Sequence, residues 1–150
     1  MQKITPFLWY NDNAEEAMNF YVSIFKDAAI INISRMGDKV FSGTLQLFGQ
    51  QFYFLNGGPA FQFTEAISMF ISCDTQQEVD YYWEQLTAGG AASQCGWLKD
   101  KFGLSWQVIP TALGRLLGDP DRVKAGRVMQ AMLQMSKIEI AVLQQAYDAQ

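Results

Sequence analysis

Two stretches of this chain carry the same order of elements, and that repetition limits the fold more than any single motif does. Residues 4–10 form a short apolar run, and Ala14, Ala17, Phe20, Tyr21 and Ile24 follow at helical spacing, which predicts a strand and then an amphipathic helix. Residues 66–73 form a second apolar run. Val79, Tyr82, Trp83 and Leu86 recur behind it at the same spacing, until Gly89 and Gly90 close the helix. One offset of 62 residues maps Asp12 onto Asp74, Asn13 onto Thr75, Glu16 onto Glu78, Phe20 onto Tyr82 and Tyr21 onto Trp83. Each helix therefore begins with a polar cap residue followed three positions on by Glu, an arrangement that satisfies the orphan N–H groups of a first turn.

Between the copies the period changes. Residues 28–36 and 40–48 read as strands joined by a turn at Gly37 and Asp38, residues 51–55 as a further strand after Gly49, and Asn56-Gly57-Gly58-Pro59 as a stop. The run FGQQFYFL at 48–55 returns as FGLSWQVI at 102–109 with an offset of 54, which predicts the same turn and last strand in a second copy with shorter middle strands. The expectation is an α+β chain in one domain: a first βαβββ module over 1–59, a second over 60–110 and a helical tail over 111–150. The polar stretch WLKDKFGLSWQVIP then reads as a strand end, a turn over 100–103 and a returning strand. Gly103 suits a left-handed turn position, and Asp100 suits a side-chain bond to the backbone two residues on.

In the tail, Gly118 ends one helix, and Asp119 caps the next with Pro120 in its first turn. Val123, Val128, Met129, Met132 and Met135 give that helix a soft apolar face, and a third helical segment covers 138–147. Such a face covers either the chain's own sheet or a second subunit.

Composition removes several classes of function. The chain has no histidine, so imidazole bases, Ser-His-Asp triads and His-ligated zinc sites are excluded. A formal charge of −4, with acidic residues interleaved among Arg115, Arg122, Lys124 and Arg127, gives no basic stripe for nucleic acid. Cys73 and Cys95 lie in different segments and form no C-x-x-C pair. They read as free thiols of a reducing compartment, and the cytoplasm is the expected location. The N-terminus lacks the apolar core of a signal peptide, and no run is long enough to span a bilayer.

The opening ITPFLWYNDNAEEAMNFY and the later QCGWLKDKFGLSWQVIPTALGRLL resemble the vicinal oxygen chelate superfamily, the group of glyoxalase I, bleomycin-resistance proteins and extradiol dioxygenases. Within it, NGGPAFQFTEAISMFISCDTQQEVDYYWEQL looks like the PhnB-like branch, whose members often carry a methyltransferase label. The resemblance implies two βαβββ modules curled around a cleft, completed by a homodimer, with a small molecule as partner. In metal-using members four ligands come from the first and last strands. Carried over, those positions fall on Pro6, Tyr53, Ser68 and Gln107, which are poor donors for zinc or iron, so no metal and no other cofactor is expected. The cleft implied by strand alternation is lined by Pro6, Leu8, Tyr53, Ser68, Phe70 and Gln107. Two readings stay open. One is a metal-free binding or sequestering protein. The other is an enzyme that uses either an oxygen-ligated metal or Glu65 or Tyr53 as acid-base group.

Overall fold

The computed structural model describes residues 1–150. Its elements run β1 (Phe7–Tyr10), α1 (Ala14–Ile24), β2 (Ala28–Met36), β3 (Lys39–Leu47), β4 (Gln50–Asn56), β5 (Met69–Cys73), α2 (Gln76–Thr87), β6 (Ala91–Ala92), β7 (Trp97–Lys99), β8 (Ser105–Pro110), α3 (Thr111–Leu117), α4 (Arg122–Leu133) and α5 (Ile140–Asp148). The strands form two four-stranded sheets of like topology, β1-β4-β3-β2 and β5-β8-β7-β6, each with its first and last strands parallel. This is an α+β fold of two βαβββ modules. The chain divides into two compact units, Met1–Phe63 and Thr64–Gln150, and the tail helices belong to the second. No helix is long and apolar enough to cross a membrane.

In the first unit α1 covers one face of its sheet. Ala14, Ala17, Met18, Tyr21 and Ile24 are buried on the helix, and Leu8, Tyr10, Leu45, Leu47 and Phe54 are buried on the strands. Tyr10 and Phe54 stack with their rings 5.2 Å apart. The expected Asn13 cap does not form: Asn13 makes no side-chain bond to the helix. Asn56 takes its place from the end of β4, accepting from Ala14 N–H at 2.8 Å and donating to the Val40 carbonyl at 3.0 Å. A residue remote in sequence thus ties the helix start to the sheet.

In the second unit Val79, Tyr82 and Leu86 bury α2 against the strands. Its cap is the predicted one: Thr75 Oγ1 accepts from Glu78 N–H, and the Glu78 carboxylate accepts from Asp74 N–H. The tail packs on its own unit. Leu113, Leu116, Val128, Met135, Ile138 and Leu143 form a core, with Ile109 of β8 packed against it. Ile138 accepts from Gln76 Nε2, Ile140 N–H donates to Gln76 Oε1, and Lys137 pairs with Asp80 at 2.8 Å. The cap of α4 is Asp121, which accepts from Val123 and Lys124 N–H, and not Asp119. Asp119 instead accepts from Asp121 N–H and, at 2.7 Å, from the Tyr147 hydroxyl.

Candidate functional site

Each sheet has one face against its helix and one face open. In the first unit β1 and β4 run in register with Phe7 opposite Tyr53, and the two rings meet edge to face at 6.1 Å. Phe7 is 59% and Tyr53 41% exposed, whereas Leu8 is 6% exposed on the helix side. Leu8 is therefore a core residue and not a cleft residue, a correction to the alternation read from sequence. Pro6 shares the parity of Leu8 and contributes its carbonyl, which accepts from Tyr53 N–H at 2.9 Å. The two copies also differ by one residue of linker. Residues 11–13 join β1 to α1, but residues 74–75 join β5 to α2, so the helices superpose at an offset of 62 and the strands at 63. A slip of one exchanges the faces of a strand.

The second unit brings three of the expected residues together. Phe70 lies opposite Gln107, which lies opposite Trp97 on its other side, and Gln107 Nε2 donates to Ser68 Oγ at 3.0 Å. Phe70 is 58% exposed. The positions that correspond across the modules are Phe7 and Tyr53 in one, Phe70 and Gln107 in the other. A phenol, an amide and a hydroxyl do not make a divalent-metal cage, and no group of three or more His, Cys, Asp or Glu is placed to hold an ion. These residues do not fit the superfamily's metal.

A concavity of about 640 Å³ opens in the second unit, with Glu65, Ala91, Ala92, Cys95, Trp97, Lys99 and Ser105 in its wall. Glu65 pairs with Lys99, and this contact, above all as a hydrogen bond, holds the Glu65 carboxyl below its usual range. A carboxylate held in this way is ionised near neutral pH and stays so in more acid solution than a free one. Lys99 lies directly opposite Ser105 across the β7–β8 ladder. Ser105 is 1% exposed and its hydroxyl has no partner among the protein's groups, a deficit that costs about 1–3 kcal/mol. Sequence reasoning missed Lys99 and Ser105; a lone serine inside the apolar run LSWQVI was the available signal.

Cys95 has φ of 59° in the loop between β6 and β7. The α4–α5 linker holds that loop: Cys95 N–H donates to the Met135 carbonyl and Gly96 N–H to that of Ser136, each at 2.8 Å, and the Ser136 hydroxyl donates to the Ser93 carbonyl. Cys73 is buried, and desolvation with the nearby Glu78 and Asp74 charges pushes its thiol up to about 12, which makes it unreactive.

The polar turn after β7 is structural. Asp100, 2% exposed, accepts from Phe102 N–H at 2.9 Å, Leu104 N–H at 3.1 Å and the Trp106 indole at 2.9 Å. Gly103 has the predicted positive φ, +87°.

The family model for 3-demethylubiquinone-9 3-methyltransferase matches residues 2–109. A solved PhnB protein from Bacillus cereus is 36% identical, over 73% of this chain and 100% of its own, with a TM-score of 0.69. The chain belongs to the 3-demethylubiquinone-9 3-methyltransferase (PhnB) family. A Pseudomonas aeruginosa protein at 19% identity shares the fold over 73% of this chain and 98% of its own, with a TM-score of 0.64. So does a fosfomycin resistance protein from Listeria monocytogenes, solved with Mn(II), at 18% identity over 71% and 88% and a TM-score of 0.52. No curated protein sequence matches the chain.

Two features of this PhnB-family chain bear on its site. The glycines after β4 are structural: a Cβ on Gly57 would lie 2.4 Å from the Trp9 ring, Gly57 N–H donates to the Tyr10 carbonyl at 2.8 Å, and Gly58 takes a φ of +93°. They lead into a loop and open no helix, unlike the glycine-rich strand-to-helix turn of a common methyltransferase cofactor site. The family match also ends before α3, so the tail that holds the Cys95 loop lies outside it.

Proposed function

We propose that this PhnB-family chain binds and sequesters a small aromatic or apolar molecule without a divalent metal, in a cleft on the open face of its second sheet. The observation that carries the reading is the exposed Phe70 beside a sparse polar pair, Ser68 and Gln107, on the second sheet; Phe7 and Tyr53 are likewise exposed on the first. Large apolar side chains grouped on an open face mark a binding surface, and a few convergent polar groups orient what binds there. A second copy of the chain completes the cleft in this reading, and the free thiols suit a reducing cytoplasm.

The test is calorimetric titration with a panel of small aromatic compounds, beside Phe70→Ser and Tyr53→Ser. Saturable binding that falls about tenfold in Phe70→Ser, a loss of some 1.4 kcal/mol, supports the cleft. Equal binding by that variant places the ligand elsewhere. Elemental analysis of protein purified without chelator checks the metal, and a stoichiometric ion overturns the metal-free reading. Sedimentation velocity checks the dimer.

A further inference from the structure

We propose that the concavity of the second unit is a carboxylate site, in which a ligand carboxylate takes Lys99 from Glu65 and accepts from the Ser105 hydroxyl while its apolar body lies against Trp97. The inference rests on the small-molecule reading above and names the chemistry of its ligand.

The donors dictate the class. Lys99 and Ser105 stand opposite each other on β7 and β8, so they are fixed by the ladder. A cation with three N–H donors beside a buried hydroxyl with no partner asks for an acceptor that carries negative charge and two oxygens. Glu65 already shows that a carboxylate fits on Lys99 at this wall. It comes from the segment before β5, outside any strand or helix, and both partners of the pair are substantially exposed, so an incoming carboxylate displaces it at little cost. The Ser105 hydroxyl, which no protein group engages, is in the same wall. Ala91, Ala92 and Trp97 supply an apolar wall, and about 640 Å³ is ample for a ring bearing one carboxylate.

The remaining wall is braced by the tail. Ser93 and Cys95 line the concavity, and both are held from behind by the α4–α5 linker. That linker lies beyond the residues matched by the family model.

Calorimetric titration with benzoate, benzamide and benzylamine on the full chain tests the proposal. Benzoate binds more tightly than the other two in the expected result. Glu65→Gln removes the internal competitor and tightens benzoate severalfold, Lys99→Met weakens it about tenfold or more, and Ser105→Ala weakens it to a lesser degree. Thermal melts confirm that each variant is folded, and because Glu65 and Lys99 are exposed, those two report even if Ser105→Ala fails to fold. If benzamide matches benzoate, the anion site falls and the aromatic cleft stands. If benzylamine binds best and Glu65→Gln abolishes it, Glu65 is the ligand contact and the proposal is overturned. If none of the three binds, the carboxylate site is overturned, while the aromatic panel decides the broader reading separately.

Discussion

The last hairpins of the two modules begin from the same Phe-Gly pair and solve the turn differently. In the first module β3 ends at Leu47 and β4 begins at Gln50, with Phe48 at φ 48° and Gly49 at φ +80°, a two-residue loop with both residues left-handed. In the second module Asp100 to Leu104 separate the strands, only Gly103 takes positive φ, and the loop is organised around the buried Asp100 carboxylate. One module closes with backbone geometry and the other with a side chain. A short motif therefore fixes where a chain turns; the number of residues between the strands fixes how.

The largest expected effect sharpens this contrast. Asp100→Ala leaves two backbone N–H groups and an indole without their acceptor and should cost roughly 3–5 kcal/mol in urea denaturation, while Asp38→Ala, in the exposed turn of the first module, stays within about 0.5 kcal/mol. Comparable losses would break the comparison. Next come Gly103→Ala and Gly49→Ala. Neither added Cβ meets another atom, so the cost is the left-handed φ alone, about 1–2 kcal/mol in each module.

A smaller effect separates the unit with a tail from the unit without one. The Tyr147 hydroxyl holds the Asp119 carboxyl below its usual range, and Asp119 in turn holds the Tyr147 phenol above its own. Asp119 has its folded value depressed, so its contribution is complete above the ordinary carboxylate range and is lost as pH falls through the folded value. Tyr147 has its folded value raised, so its contribution is complete below the ordinary phenol range and is lost as pH rises through the folded value. Melting temperatures of Tyr147→Phe should thus fall below those of the parent near neutral pH and converge with them at strongly acid and strongly alkaline pH. A difference independent of pH would show that the bond is not what Tyr147 contributes. The smallest effects belong to Lys99→Ala and Lys101→Ala, each within about 0.5 kcal/mol by denaturant titration, since exposed charges at a strand end and on a turn gain little from pairing.

Much of this was legible in the chain. Strand and helix periods, the Thr75 cap, the Gly103 turn and the Asp100 bond to its backbone are local, and each is encoded within a few residues. Phe70 lies opposite Gln107 across β5 and β8, and Gln107 reaches Ser68 just before β5, a grouping that strand alternation prepares. Leu8 falls on the helix side because it follows by alternation from Pro6, the position carried over from the resemblance, and Pro6 has the parity of the buried Leu8 and Tyr10. The Asn56 cap, the two-residue β6 and the Glu65–Lys99–Ser105 grouping left no periodic trace.

By itself the sequence determined the two βαβββ modules and the tail helices, and it excluded imidazole chemistry, because hydrophobic period, turn residues and side-chain inventory are properties of short stretches. The tertiary structure decided which face of β1 looks outward, that the tail closes on its own unit through Gln76 and the Cys95 loop, and that Ser105 is left with an unanswered hydroxyl beside Lys99. Those outcomes depend on register and on contacts between residues tens of positions apart. A one-residue slip there costs nothing in composition and reverses every side chain of a strand.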